Sequence, residues 1–87
     1  MRIVISGHTG FVGGHLLRNI NLNFSNCNLI LLNKEDFLSH NFNDKIKKED
    51  FIYHLAGVNR AETNEQVYSS NIKINISLLN HLEKINF

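Results

Sequence analysis

The chain has 87 residues, nine Lys or Arg against eight Asp or Glu for a formal net charge of +1, one cysteine, 43% hydrophobic and 20% charged residues. A chain this short makes one small domain that buries roughly 60–65% of its unfolded surface, and its charge balance argues against nucleic acid or an anionic membrane as partner. The lone Cys27 excludes an internal disulfide, and no apolar run approaches the roughly 20 residues that span a bilayer, so a cytoplasmic protein is expected.

Arg2–Ser6 opens the chain with the apolar run Ile3-Val4-Ile5, which predicts a buried strand. Gly7, Gly10 and Gly13 follow at steps of three, and Val12, Leu16 and Ile20 then recur at helical spacing, predicting a helix from Phe11 to Asn21. A strand, a glycine turn and a helix together place a diphosphate on a helix N-terminus. Gly7 would turn the chain off the strand, Gly10 would admit phosphate oxygens to the backbone, and Gly13 would let the helix lie close to the strand. No Gly-Lys-Ser/Thr follows, so the turn is not a Walker loop. His8, inside the turn, reads as a solvent-facing filler or as a phosphate contact.

Asn21–Asn28 has the composition of a loop, and Leu29–Leu32 forms a second apolar strand. A carboxylate at the end of such a strand bonds a ribose 2′-hydroxyl and repels a 2′-phosphate. Here the strand ends in Asn33-Lys34, which removes the repulsion and offers a cation. NADP is therefore expected over NAD, although Asn33 and Lys34 could equally begin an ordinary loop. Residues 33–50 read as polar and irregular, with one short helix near Asp44–Lys48.

A third strand is expected over Phe51–Ala56, ending at Gly57. Alternation puts His54 on the Ile52/Ala56 face, as a core histidine with satisfied hydrogen bonds. A polar loop, 58–64, leads to Thr63 and Gln66, a capping-box pair. A helix is expected over 65–85, with Val67, Asn71, Ile74, Leu78, Leu82 and Ile85 along one stripe. Ile72, Ile76 and Leu79 widen the stripe, so the helix is expected to be well buried. Asn71, polar on that stripe, must bond a backbone carbonyl or hold a water. The five histidines lack metal-ligand spacing, and no metal site is expected. The fold class that follows is α/β, a parallel sheet with flanking helices and part of a Rossmann fold.

Two stretches, Ser-Gly-His-Thr-Gly-Phe-Val-Gly at 6–13 and Asp-Phe-Ile-Tyr-His-Leu-Ala-Gly at 50–57, resemble the paired motifs of the extended short-chain dehydrogenase/reductase family. That family contains nucleotide-sugar epimerases, dehydratases and reductases. A weaker third likeness falls at Asn71-Ile72, where Ile74 and Asn75 depart from the family's Gly and Thr. His-Leu-Ala-Gly-Val-Asn-Arg at 54–60 looks like a bacterial capsular-polysaccharide branch that reduces a 4-keto UDP-sugar, except that Ala61 replaces its usual Pro.

The resemblance implies that Gly7, Gly10, Phe11, Val12 and Gly13 hold the diphosphate. It implies that Leu55, Ala56, Gly57, Val58 and Asn59 line the cofactor, and that Ser70 lies against its nicotinamide half. Arg60 reads as a phosphate grip or an ordinary loop arginine. Catalysis in the family needs a Tyr-x-x-x-Lys pair, but Tyr53 is followed four residues on by Gly57 and Tyr68 by Ile72. No catalytic residue is therefore assigned. The chain reads as the N-terminal part, 1–87, of one NAD(P)-binding domain. The larger enzyme would take a UDP-sugar, and self-association into a homo-oligomer is expected. A non-catalytic dinucleotide-binding module and an inactive truncated product are the alternatives.

Overall fold

Alternation along β1 (Arg2–Ser6) sends Ile3 and Ile5 to one face of a sheet and Val4 and Ser6 to the other, and all four are buried. The computed structural model describes residues 1–58 and 61–87. β1 is followed by α1 (Phe11–Asn23), β2 (Asn28–Leu32), α2 (Lys34–Leu38), β3 (Phe51–His54) and α3 (Asn64–Lys84). The three strands form a parallel sheet in the order β2-β1-β3. Ile3 stands between Leu29 and Phe51, and Ser6 between Leu32 and His54.

Each face has its own core. On one, Ile3 and Ile5 meet Ile20 of α1, with Leu16, Leu17, Leu29 and Leu31 around them. On the other, Val4 and Leu32 meet Phe37, Phe42, Ile46 and Leu78, with Ile52, Ile74 and Leu82 packed against them. The result is an α/β fold: a parallel sheet between α1 on one side and the α2–β3 connection with α3 on the other.

The expected helix near Asp44–Lys48 does not form. Asn43 and Asp44 both take left-handed φ, 49° and 59°, which ends any helix there. The helix in this segment is α2, and Asn33 caps it reciprocally with Asp36. Asn33 and Lys34 thus start a helix, not a loop. β3 stops at His54, two residues short of expectation. α3 is also less buried than its broad apolar stripe implied: only Ser77 and Leu78 are fully buried, while Ile72, Ile76 and Leu79 face solvent. Among the described residues, no strand lies beyond β3 to receive that side of the helix. The Thr63–Gln66 capping box is present at its start. No described helix is long and apolar enough to cross a membrane.

The 12 residues between α2 and β3 carry no regular structure, and polar bonds fasten them. Lys45 Nζ donates to Asp36 Oδ2 at 2.9 Å and to the Leu31 carbonyl at 3.2 Å. Arg2 Nε donates to Asp50 Oδ1 at 2.8 Å, and its Nη2 donates to the Lys45 carbonyl at 2.9 Å. The Lys47 amide donates to Asp50 Oδ2 at 2.7 Å. Burial of Asp50 works to raise its pKa, but the Arg2 hydrogen bond, the Lys47 amide and the nearby positive charges outweigh it and hold the carboxyl below its ordinary value.

A depressed carboxylate pKa stabilises the fold fully above the unfolded value of about 4, and that contribution is lost as pH falls through the folded value. Asp50→Asn is expected to cost about 1.5–3 kcal/mol at pH 7 and to flatten the fall in melting temperature below pH 4. Thermal unfolding of both proteins from pH 2 to 7 checks this.

Candidate functional site

The chain leaves β1 toward β2 on one side and then crosses back to β3 on the other. β1 and β3 are therefore the pair at which the connections diverge. In an open α/β sheet the carboxyl ends of such a pair border a crevice suited to a ligand. The glycine turn and the residues after β3 both lie at that edge.

Gly7 is the only glycine with positive φ, +77°. A Cβ there would stand 2.6–2.7 Å from backbone atoms of Leu55 and Ala56. The turn therefore rests directly on the segment after β3, and no side chain fits between them. Gly13 is closed in a different way: its Cβ would lie 2.0 Å from the Gly7 carbonyl oxygen, so the first turn of α1 lies against the turn that precedes it. At Gly10 a Cβ would meet only the Gly7 carbonyl, at 3.4 Å, and is otherwise open.

The start of α1 lacks what the other two helices have. Its N-cap, Gly10, has no side chain to accept from the first-turn amides, and that turn contains no acidic residue. The first intrahelical bond runs from the Gly14 amide to the Gly10 carbonyl at 2.8 Å. The amides of Phe11, Val12 and Gly13 precede it and belong to the unsatisfied set of any helix start. Phe11 and Val12 have exposed side chains. An anion placed here would meet amides and the positive end of the helix dipole, with no carboxylate to repel it. His8 is not the solvent-facing filler expected. It is half-buried, with Nδ1 sealed from solvent and unpartnered among the described residues.

Three side chains fix the other wall. Ser6 Oγ accepts from the Ala56 amide at 3.1 Å and lies 2.6 Å from His54 Nδ1. His54 Nε2 lies 2.8 Å from Asn75 Oδ1, so both imidazole nitrogens are engaged, as expected for a core histidine. Asn71 clamps Val58 through both its groups: Oδ1 accepts from the Val58 amide at 2.6 Å, and Nδ2 donates to the Val58 carbonyl at 3.0 Å. Of the two readings for Asn71, the backbone bond is the one made.

The sheet edge thus brings together Gly7, Gly10, Phe11, Val12 and Gly13 with Leu55, Ala56, Gly57 and Val58. Asn33 and Lys34 lie at the same edge, one step past Leu32, whose register partner is Ser6. The Asn33 side chain is committed to capping α2, while Lys34 is exposed and forms no ion pair among the described residues. Ser70 is half-buried before Asn71, and its side chain makes no hydrogen bond among the described residues. Asn59 and Arg60 lie outside the described residues. Ser6 and Asn75 are not among the residues the sequence singles out, whereas Asn71 is, as the polar position on the α3 stripe. Ser6 was detectable as the one polar residue closing an apolar strand, and Asn71 and Asn75 as two asparagines four apart on one helix.

Gly13→Ala is expected to abolish cooperative folding, because its methyl would overlap a backbone carbonyl rather than a movable side chain. Asn71→Ala is expected to fold but to lose about 1–3 kcal/mol by leaving the Val58 groups unpaired. Urea denaturation followed by circular dichroism measures both.

One curated protein, the UDP-2-acetamido-2,6-beta-L-arabino-hexul-4-ose reductase of Pseudomonas aeruginosa (strain ATCC 29260 / BCRC 12902 / CIP 102967 / NCIMB 11965 / PA103), is 31% identical over 78 residues, 90% of this chain and 20% of that protein. The chain spans about a fifth of the length of the curated relative it matches. No family model and no solved structure matches. Over nine-tenths of its length, this parallel α/β chain is similar to a nucleotide-sugar reductase.

Proposed function

We propose that the chain is the N-terminal, cofactor-binding part of a Rossmann domain in an NADP(H)-dependent nucleotide-sugar reductase, epimerase or dehydratase of the extended short-chain dehydrogenase/reductase family. The observation that carries this reading is the glycine turn at the carboxyl end of β1, which opens onto a helix start with neither a side-chain cap nor an acid. The 31% likeness to a UDP-sugar reductase supports it.

In this reading the amides of the α1 first turn hold the diphosphate, with Gly10 leaving room and Gly7, Phe11, Val12 and Gly13 shaping the cradle. Lys34 faces the 2′-phosphate of NADP, and Asn33 keeps a carboxylate away from it. Leu55, Ala56, Gly57, Val58 and Asn59 line the adenosine and ribose side, and Ser70 approaches the nicotinamide half. When bound, the nicotinamide supplies hydride chemistry, while these residues bind and orient it. The 87 residues contain no Tyr-x-x-x-Lys, so the chain by itself is a binding portion without turnover. The substrate of the whole enzyme is a UDP-sugar used in capsular or surface polysaccharide synthesis in the cytoplasm. The chain also self-associates, because β3 is an edge strand among the described residues, with Phe51 and Tyr53 exposed on the sheet face that α1 covers and Ile76 and Leu79 exposed on α3.

Fluorescence titration is expected to show tighter binding of NADPH than of NADH, and Lys34→Ala is expected to remove the preference by weakening NADPH alone. Tighter NADH binding by the wild-type chain would sink the 2′-phosphate assignment. Gly10→Ala is expected to fold, since its methyl meets only one atom at 3.4 Å, with a melting temperature lowered by no more than a poorer N-cap costs, while losing at least about tenfold in NADPH affinity. Unchanged affinity would remove the diphosphate from this turn. Sedimentation velocity is expected to show species larger than the monomer.

A further inference from the structure

We propose that His54 and Asn75 act as a positioning pair for the cofactor-lining segment Leu55–Val58, an inference that rests on the nucleotide-binding reading above. The direction of the hydrogen bonds follows from their ends. The Ala56 amide can only donate, so at 3.1 Å it fills one acceptor site of Ser6 Oγ. The Ser6 hydroxyl hydrogen is then free to point at His54 Nδ1, 2.6 Å away. Nδ1 accepts, the ring proton sits on Nε2, and Nε2 donates to Asn75 Oδ1 at 2.8 Å.

This makes one unidirectional chain: Ala56 amide, Ser6 hydroxyl, His54 imidazole, Asn75 amide oxygen. In such a chain each bond polarises the next. Ser6 is wholly buried, so no water can replace its partners. Asn75, at the far end, is exposed. The chain therefore orients a buried hydroxyl from a surface side chain.

Two side chains grip the segment, and the Leu55 amide also donates to the Ser6 carbonyl at 3.1 Å. Ala56 is held through Ser6, and Val58 is held by Asn71. Asn71 and Asn75 are one helical turn apart on α3 and share a face. Between the two grips, Leu55 and Ala56 lie against Gly7. The distance between the glycine turn and its opposite wall is thus set before any ligand arrives. Such preorganisation raises affinity by lowering the cost of ordering. Asn75 is exposed, so truncating it opens no cavity in the apolar core.

The test is NADPH titration of wild-type, Asn75→Ala and Asn75→Asp chains in 0.15 M salt, which screens the added charge beyond about 8 Å. Asn75→Ala is expected to bind NADPH about 3- to 10-fold more weakly, the worth of one hydrogen bond, and to unfold cooperatively with its melting temperature lowered by about 4–8 °C. Asn75→Asp, whose carboxylate also accepts from Nε2, is expected to restore binding. In spectra of the free proteins the Ala56 amide resonance should move in Asn75→Ala and return in Asn75→Asp. Wild-type affinity in Asn75→Ala overturns the proposal, as does equal weakness in both variants. Loss of cooperative unfolding in Asn75→Ala also overturns it, by making the residue a folding determinant. Failure of the wild-type chain to bind either NADPH or NADH removes the nucleotide reading itself, and this inference with it.

Discussion

The contact between Gly7 and the Leu55–Ala56 backbone is the constraint on which the rest of the molecule depends. It can exist only because residue 7 has no Cβ and can hold φ at +77°. From it follow the turn toward α1, the closeness of β1 to β3 at their carboxyl ends, and the second close approach at Gly13. Ser6 extends the same junction by accepting from Ala56 and bonding His54. Steric closeness and hydrogen bonding thus act on the same few atoms. A sheet with only three strands has little else to fix the relative height of its strand ends.

The connection between α2 and β3 meets a different demand. It must cover one face of the sheet without a long helix. Phe37 and Phe42, in edge-to-face contact with centroids 5.3 Å apart, and Ile46 supply the apolar cover. The backbone reaches that arrangement through left-handed residues at His40, Asn43 and Asp44, residue types that tolerate this conformation better than most. Two ion pairs with largely buried carboxylates then secure it. Each carboxylate also accepts a backbone amide, Asn33 to Asp36 and Lys47 to Asp50. These bonds offset the desolvation that makes an isolated buried charge costly.

The strands, α1 and α3 were legible because β-branched runs, glycine spacing and one capping box act over a few neighbouring residues. Asn33 and Asp36 form the same kind of box as Thr63 and Gln66, yet the helix they start has only five residues, too few to show a period. The connection was not legible, because its shape comes from partners distant in sequence. Arg2 reaches Asp50 across 48 positions. Nor could periodicity show that Ile72, Ile76 and Leu79 would face solvent. A stripe records which side of a helix is apolar, not whether anything lies opposite it. At the site, the glycines declared themselves by type, whereas Ser6 matters through partners that the register of β1 with β3 brings within reach, and Asn71 and Asn75 through partners that the packing of α3 against the end of β3 supplies.

The three helix starts differ in whether their own side chains satisfy them. α2 and α3 each complete a reciprocal capping box and carry an acid in the first turn, so their own chain satisfies amides and dipole. α1 begins with a glycine that cannot cap and a first turn without an acid. A Ser, Asp or Asn at position 10 would contribute roughly a few tenths of a kcal/mol relative to Gly. The open space around the Gly10 Cβ position would admit such a side chain. Steric exclusion therefore does not explain glycine there, as it does at Gly7 and Gly13. What a side chain at position 10 would obstruct is the approach of another molecule to the first-turn amides. Of the three described helix starts, α1 is the one whose amides and dipole its own side chains leave unanswered, and it lies at the carboxyl edge between β1 and β3.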